Sequence, residues 1–308
     1  VLRLTSLDDL ALTGGPLHLA LGVFDGVHLG HRAVIRRVVE AARRDGGRAG
    51  VVTFDPHPIR VLAPDKAPRA LLATLDHKAH LLAGLGVELL LAIPFDAAFA
   101  QLEAEEFLDQ LCKAAVGTIA VGDDWRFGKG RRGDVAMLKR FSEVHGFSLQ
   151  AVPPVMADGE RISSTRIRQA IRDGSVAAVA EMLGQPYSLE GPVIEGRKLA
   201  RQLGFPTANV VTGDVQLPPD GVWLVEARCG GAIFSGVANL GMRPTVDGTS
   251  RALEVHLFDF SGDLYGKVLE VTFVSYLRGE RKFESIEALK GQIEVDVATA
   301  RSLSRPAS

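Results

Sequence analysis

The sequence predicts an α/β domain followed by a mainly β domain. Strand-like and helix-like patterns alternate up to about residue 184, and from 185 onward strand-like runs succeed one another without helices between them. Alternation builds a parallel sheet with helices on both faces, whereas consecutive short strands ended by Gly and Pro build an antiparallel barrel or sandwich. A third observation sharpens the first half. The apolar run Leu17–Phe24 stops at Asp25-Gly26, and His28-Leu29-Gly30-His31 then opens a helical pattern.

Taken in order, the strand-like runs of the first half are Leu17–Phe24, Gly50–Phe54, Val87–Ile93, Thr118–Gly122 and Phe147–Val152. Helical patterns lie between them at Ala33–Arg44, Leu75–Leu82, Ala104–Ala115 and Val135–His145. After Leu183-Gly184-Gln185-Pro186 come Val222–Arg228, Ala232–Asn239, Ala252–Phe258 and Lys267–Tyr276. The chain closes on a helix whose apolar residues Ile286, Leu289, Ile293, Val297 and Ala300 recur every three or four positions, a stripe suited to packing on the barrel. Parallel sheets bind ligands at the carboxyl ends of their strands. That rule gathers the His28–His31 loop, Thr53–Pro58 and Gly122–Gly128 around one crevice.

Composition narrows the function. Hydrophobic residues make up 46% of the chain, enough for a core, and the net charge of −2 argues against a general nucleic-acid binder. No apolar run approaches the roughly 18–20 residues that cross a bilayer. The first residues lack a signal-peptide pattern, so a cytoplasmic protein without a membrane partner is expected. Cys112 and Cys229, each in apolar company, read as buried thiols rather than a disulfide or a metal site.

The chemistry concentrates in a few segments. A helix N-terminus presents unpaired N–H groups and partial positive charge, which suits phosphate. His28 and His31 stand one turn apart and can add donors there, and Gly30 leaves room for a nucleotide against the backbone. His77 and His80 share that spacing without a strand or Gly turn before them and read as surface residues. Ser164, Thr165 and Arg168 form a second phosphate candidate at a helix start, with Arg168 four residues after Ser164. No Walker A loop and no G-x-G-x-x-G fingerprint is present. In the second half, Thr207 and Asn209 point the same way across Ala208 and offer hard oxygen ligands for Mg²⁺ shared with phosphates. The basic stretch Gly196–Leu203 precedes them, and Glu254 stands in the apolar run Leu253–Leu257, as a solvent-facing residue or, if it meets a site, a general base.

Together these motifs resemble the bacterial bifunctional riboflavin kinase/FMN adenylyltransferase family, or FAD synthetases. The resemblance runs from Gly22–His31 through Thr53–Pro58, Gly122–Lys129, Ile162–Arg168, Gly204–Asn209, Asn239–Thr245, Leu253–Phe260 and Leu264–Gly266 to Leu277-Arg278. It implies a Rossmann-like nucleotidyltransferase domain over residues 1–184 and a six-stranded riboflavin kinase barrel with a terminal helix over 185–308. The implied chemistry phosphorylates riboflavin with ATP to FMN, then joins FMN to the AMP part of ATP, giving FAD and pyrophosphate, with Mg²⁺ as cofactor. The implied catalytic residues are His28, His31 and Glu254. Gly22, Phe24, Asp25, Gly30, Ser164, Thr165, Arg168, Gly196, Lys198 and Arg201 would meet ATP. Phe54, Asp124, Phe127, Arg278 and Phe283 would meet flavin, with the Pro56–Pro58 turn beside Phe54, and Thr207 and Asn209 would hold the metal. Two departures stand out: Leu199 and Ala200 replace a basic residue and a glycine usual in the family's flap, and Trp125 replaces a phenylalanine. The altered flap keeps open an alternative, an FMN adenylyltransferase whose barrel binds flavin without phosphorylating it.

Overall fold

A computed structural model describes residues 1–196, 203–245 and 248–304. The chain divides into two units, Val1–Leu71 with Leu75–Ser164, and Leu72–Thr74 with Thr165–Ser308.

The first unit opens with strand β1 (Leu2–Leu4) and helix α1 (Leu7–Ala11), then alternates β2 (Leu17–Leu21), α2 (Leu29–Asp45) and β3 (Arg48–Asp55). Helices α3 (Pro58–Leu62) and α4 (Leu75–Gly84) precede β4 (Leu89–Pro94), α5 (Ala104–Leu111), β5 (Val116–Gly122), α6 (Val135–His145) and β6 (Ser148–Val152). The six strands form one parallel sheet in the order β1-β4-β3-β2-β5-β6, and a small hairpin, β7 (Met156–Ala157) with β8 (Glu160–Arg161), follows it. Strand alternation feeds two cores. Leu19, Leu21, Val52, Leu91, Ile119 and Val121 pack with Leu7, Leu10, Phe107, Leu108 and Leu138 from α1, α5 and α6. Ala20, Val51, Leu90 and Ala120 face the other way, against Val34, Ile35, Val38 and Leu82 from α2 and α4. Burial on both faces explains why these strands read as unbroken apolar runs.

The second unit holds helices α7 (Ser164–Arg172) and α8 (Val176–Leu183), of which Ser164 itself belongs to the first unit. Strands β9 (Ser188–Ile194), β10 (Ala208–Val210), β11 (Gly221–Cys229), β12 (Ala232–Thr245), β13 (Gly248–Leu257) and β14 (Val268–Arg278) close an antiparallel barrel in the order β10-β13-β12-β11-β14-β9. Trp223 and Phe273 fill it edge to face, with ring centroids 5.6 Å apart, and the Trp223 indole donates to the Pro219 carbonyl at 3.0 Å. Helix α9 (Ile286–Leu303) starts on the Ser285 hydroxyl, which accepts from the Ala288 N–H. It packs Val297 and Ala300 against Val222, Leu224, Val237 and Phe258.

The expected α/β plus barrel architecture is the observed one, and the differences are local. The strand leading to the histidine loop ends at Leu21 rather than Phe24, because Phe24 takes a left-handed φ of +51°. Helix α2 starts at Leu29, not Ala33, because His28 caps it. Strand β9 escapes the sequence pattern because it contains Gly191 and Pro192, and β10, three residues long, is foreshadowed only by the extended Thr207–Asn209 segment. His77, read as a surface residue, is buried together with Lys78, while His80 is exposed. Its helix packs on the sheet through the face that bears them. Both cysteines are half-buried and unbridged, and burial pushes the Cys112 thiol up to about 11.

Candidate active sites

The first site is built on the turn between β2 and α2. The His28 Nδ1 accepts the His31 N–H at 3.3 Å and so caps the helix. The two imidazoles stack, with centroids 3.5 Å apart and planes 18° apart. The turn is strained: Phe24 and Val27 both have positive φ, +51° and +46°, and Val27 is β-branched. Gly30 has a local role that the sequence did not show. A Cβ there would lie 3.1 Å from the His28 ring, so the glycine accommodates the capping imidazole itself. Gly22 likewise sits under the Phe24 ring, and that ring meets His31 edge-on at 5.3 Å.

Both histidines are held neutral. Burial pushes His28 down to about 4, assisted by the nearby Arg161 charge. His31 falls well below its usual value through burial, with His28, Lys78 and Arg161 as further causes. The His31 Nδ1 is buried and has no hydrogen-bond partner among the described residues. Ser164, in the same unit, donates its hydroxyl to the Asp25 carbonyl at 3.0 Å. Farther along α7, Thr165 is exposed and Arg168 is buried.

The flavin candidates of this unit form an aromatic row. Phe54 lies 6.0 Å from Phe99, Phe99 6.2 Å from Phe107, and Phe107 5.9 Å from Phe127. Phe127 is buried and carries Trp125 stacked on it at 4.5 Å. Asp124 is exposed and takes both arms of Arg161, at 2.5 and 3.1 Å, which holds its carboxyl below the usual range. Sequence reading gave Arg161 no role. Its basic type beside Ile162–Arg168 was the available signal.

The second site lies in the barrel. Strand register sets Asn209, Glu254 and Asn239 side by side across β10, β13 and β12. Leu253, Val255 and Leu257 point into the core while Glu254 and His256 face a cavity of about 390 Å³, so Glu254 is a cavity residue rather than a solvent-facing one. The same cavity is lined by Thr207, Asn209, Arg243, Arg278 and Phe283. The Thr207 hydroxyl lies 3.4 Å from a Glu254 oxygen, and Arg243 pairs with Glu254 and donates to the Asn209 side-chain carbonyl oxygen at 2.9 Å. Arg278 is clamped by Asp296 of α9 and stands 5.9 Å from the Phe283 ring centre. Thr207 and Asn209 also line a second cavity of about 580 Å³, bounded by Gly196, Phe260 and Tyr265. A Cβ on Gly196 would fall 2.2 Å from the Asn209 amide nitrogen, so only glycine lets that side chain in. Lys198 and Arg201, with Leu199 and Ala200, lie outside the described residues. Arg243, Asn239, His256 and Asp296 were missed as individual residues, although Asn239–Thr245 stood out as a segment.

A family model for FAD synthetase matches residues 14–166, and one for riboflavin kinase matches 183–304. A bifunctional riboflavin kinase/FMN adenylyltransferase of Pseudomonas fluorescens is 42% identical over 291 residues, covering 94% of this chain and 93% of the relative. The chain belongs to the bifunctional riboflavin kinase/FMN adenylyltransferase family. Another member, from Bacillus subtilis, is 37% identical over 284 residues, covering 90% of this chain and 89% of its own. Among solved structures, one described as a macrolide-efflux protein from Streptococcus pneumoniae superposes with a TM-score of 0.84 at 32% identity, covering 98% of this chain and 99% of that one. Among the described residues of this flavin-nucleotide transferase, no helix is long and apolar enough to cross a membrane.

Proposed function

We propose that the family's two activities divide between the two sites, with residues 1–184 adenylylating FMN and residues 185–308 phosphorylating riboflavin. In the barrel, riboflavin would occupy the cavity lined by Arg278 and Phe283, and ATP the cavity bounded by Gly196 and Tyr265. Thr207 and Asn209 border both, which is where the γ-phosphoryl must cross. Glu254 accepts the proton of the ribityl 5′-hydroxyl as its oxygen attacks the γ-phosphorus and ADP departs. The observation that carries this reading is the register of Glu254 beside Asn209, with the Thr207 hydroxyl at 3.4 Å.

Thr207 and Asn209 suit Mg²⁺ by donor chemistry. They offer neutral hard oxygens, and among the described residues no cluster of His, Cys, Asp or Glu could hold a metal alone. An ion there would draw its remaining ligands from the nucleotide. When bound, Mg²⁺ supplies neutralisation of polyphosphate charge.

In the first unit, an FMN phosphate oxygen attacks the α-phosphorus of ATP and pyrophosphate leaves. The nucleophile is already anionic, so no protein base is needed, and positioning with fixed donors suffices. His28 and His31 meet the phosphates as neutral donors at the N-terminus of α2, with Ser164 of the same unit assigned to the β- and γ-phosphates. Gly22, Phe24, Asp25 and Gly30 shape the turn. For the isoalloxazine ring, Phe54 and Trp125 are the accessible faces, with buried Phe127 acting through Trp125, and Asp124 with Arg161 sits at the polar edge. A cytoplasmic setting fits a chain whose two thiols are unbridged.

The test is direct. Purified protein is incubated with riboflavin, ATP and Mg²⁺, and the flavins are separated by chromatography over time. FMN should appear first and FAD after it. Added FMN turning to FAD while riboflavin stays untouched would leave only the first activity, and no turnover of either flavin would overturn both.

A further inference from the structure

We propose that Lys78 is a positioning residue for FMN adenylylation: buried beneath the phosphate turn, its ammonium holds the Val23 carbonyl and with it the backbone that presents His28 and His31. This rests on the adenylylation reading of that turn. Lys78 lies on α4, between His77 and His80, and only 7% of it is exposed. Its Nζ donates to the Val23 carbonyl at 2.9 Å and lies 3.5 Å from the Thr53 hydroxyl. The Thr53 hydroxyl donates to the same carbonyl at 2.8 Å, so one backbone oxygen takes two donors from two different elements. Asp25 and Asp55 supply the negative charge that lets an ammonium remain there, against burial that pulls its pKa down.

Such an arrangement is costly, and a hydrocarbon side chain would fill the same space without desolvating a charge. What the ammonium adds is control of the next residue. Val23 precedes Phe24, whose left-handed φ of +51° is one that L-residues hold only when their surroundings impose it. The Phe24 ring covers Gly22 and meets His31 edge-on, so a shift of the Val23 peptide passes through Phe24 to the histidine pair. Lys78 thus acts through the backbone and touches no reacting atom.

The two-activity chain carries its own control. In full-length Lys78→Met, the KM for ATP in FMN adenylylation should rise roughly tenfold or more, as expected when one charge-assisted hydrogen bond shapes the site. Riboflavin phosphorylation should keep its constants, and Lys78→Arg should recover part of the loss. A variant that merely lost folded protein would lower kcat without moving that KM. An unchanged adenylylation KM in Lys78→Met overturns the proposal. If both activities fall in parallel, Thr53→Val decides: a rise in the same KM of a few-fold supports it, and no rise overturns it. Wild-type protein that makes FMN but no FAD would remove the adenylylation reading itself, and this proposal with it.

Discussion

Under the proposed division of activities, the two sites handle phosphate by opposite means. At the turn before α2, the protein offers neutral imidazoles, a helix N-terminus and strained backbone. In the barrel, it offers a carboxylate and a guanidinium already paired, with Thr207 and Asn209 beside them. The difference follows from what each reaction lacks. Adenylylation has an anionic nucleophile and needs fixed donors around a charged transition state. Phosphorylation starts from a neutral alcohol and needs a base. A helix N-terminus can be built from one local segment, whereas the barrel cluster draws on three neighbouring strands and depends on their register.

The largest effect that would test this contrast is Glu254→Gln. It should lower riboflavin phosphorylation about 10²–10⁴-fold, the range for a lost general base, and leave FMN adenylylation intact when FMN is supplied. A parallel loss of both reactions would break the comparison. Next, His31→Ala should slow adenylylation about 10²–10³-fold, the scale for a lost transition-state donor, with phosphorylation rates preserved in the same preparation.

Acid should separate the sites as well. His28 is held down to about 4 in the fold, against 6.5 for an ordinary histidine. Between those values the unfolded chain binds a proton that the native site refuses. The stability contributed by the neutral ring is therefore complete above about pH 6.5 and is lost as pH falls toward 4, to the extent of about 3 kcal/mol. His28→Asn retains an N-cap acceptor and should flatten the fall of Tm with acid. An equally steep fall in that variant would assign the acid sensitivity elsewhere. The smallest effect is expected for Gly30→Ala. Alanine favours the helix by up to about 1 kcal/mol, but its Cβ would crowd the His28 ring at 3.1 Å. Tm should change little while adenylylation drops several-fold, and unchanged turnover would show that the ring yields freely.

Much of the fold was legible because local pattern and global fold agree. Buried parallel strands read as apolar runs, α6 was predicted with its observed bounds at Val135 and His145, and the amphipathic stripe of α9 marked the helix that packs on the barrel. Strand β9 was illegible because Gly191 and Pro192 contradict strand patterning, and β10, three residues long, was legible only as the extended Thr207–Asn209 segment. Gly191 is needed there because any Cβ would strike the Val211 carbonyl, a neighbour that only barrel closure supplies.

By itself, the sequence determined the two-part architecture and marked the His28–His31 turn, the Thr207–Asn209 pair and Glu254 as candidates, since each is a matter of residue type at short spacing. Tertiary structure alone decided which way Glu254 faces, that Arg243 pairs with it, that Gly30 serves the His28 ring, and that Lys78 is buried rather than solvated. Apart from the local Gly30–His28 contact, those facts depend on separate elements being brought together, as Lys78 and Val23, 55 positions apart, are at 2.9 Å. Spacing along a chain carries no such information; sheet register and helix docking create it.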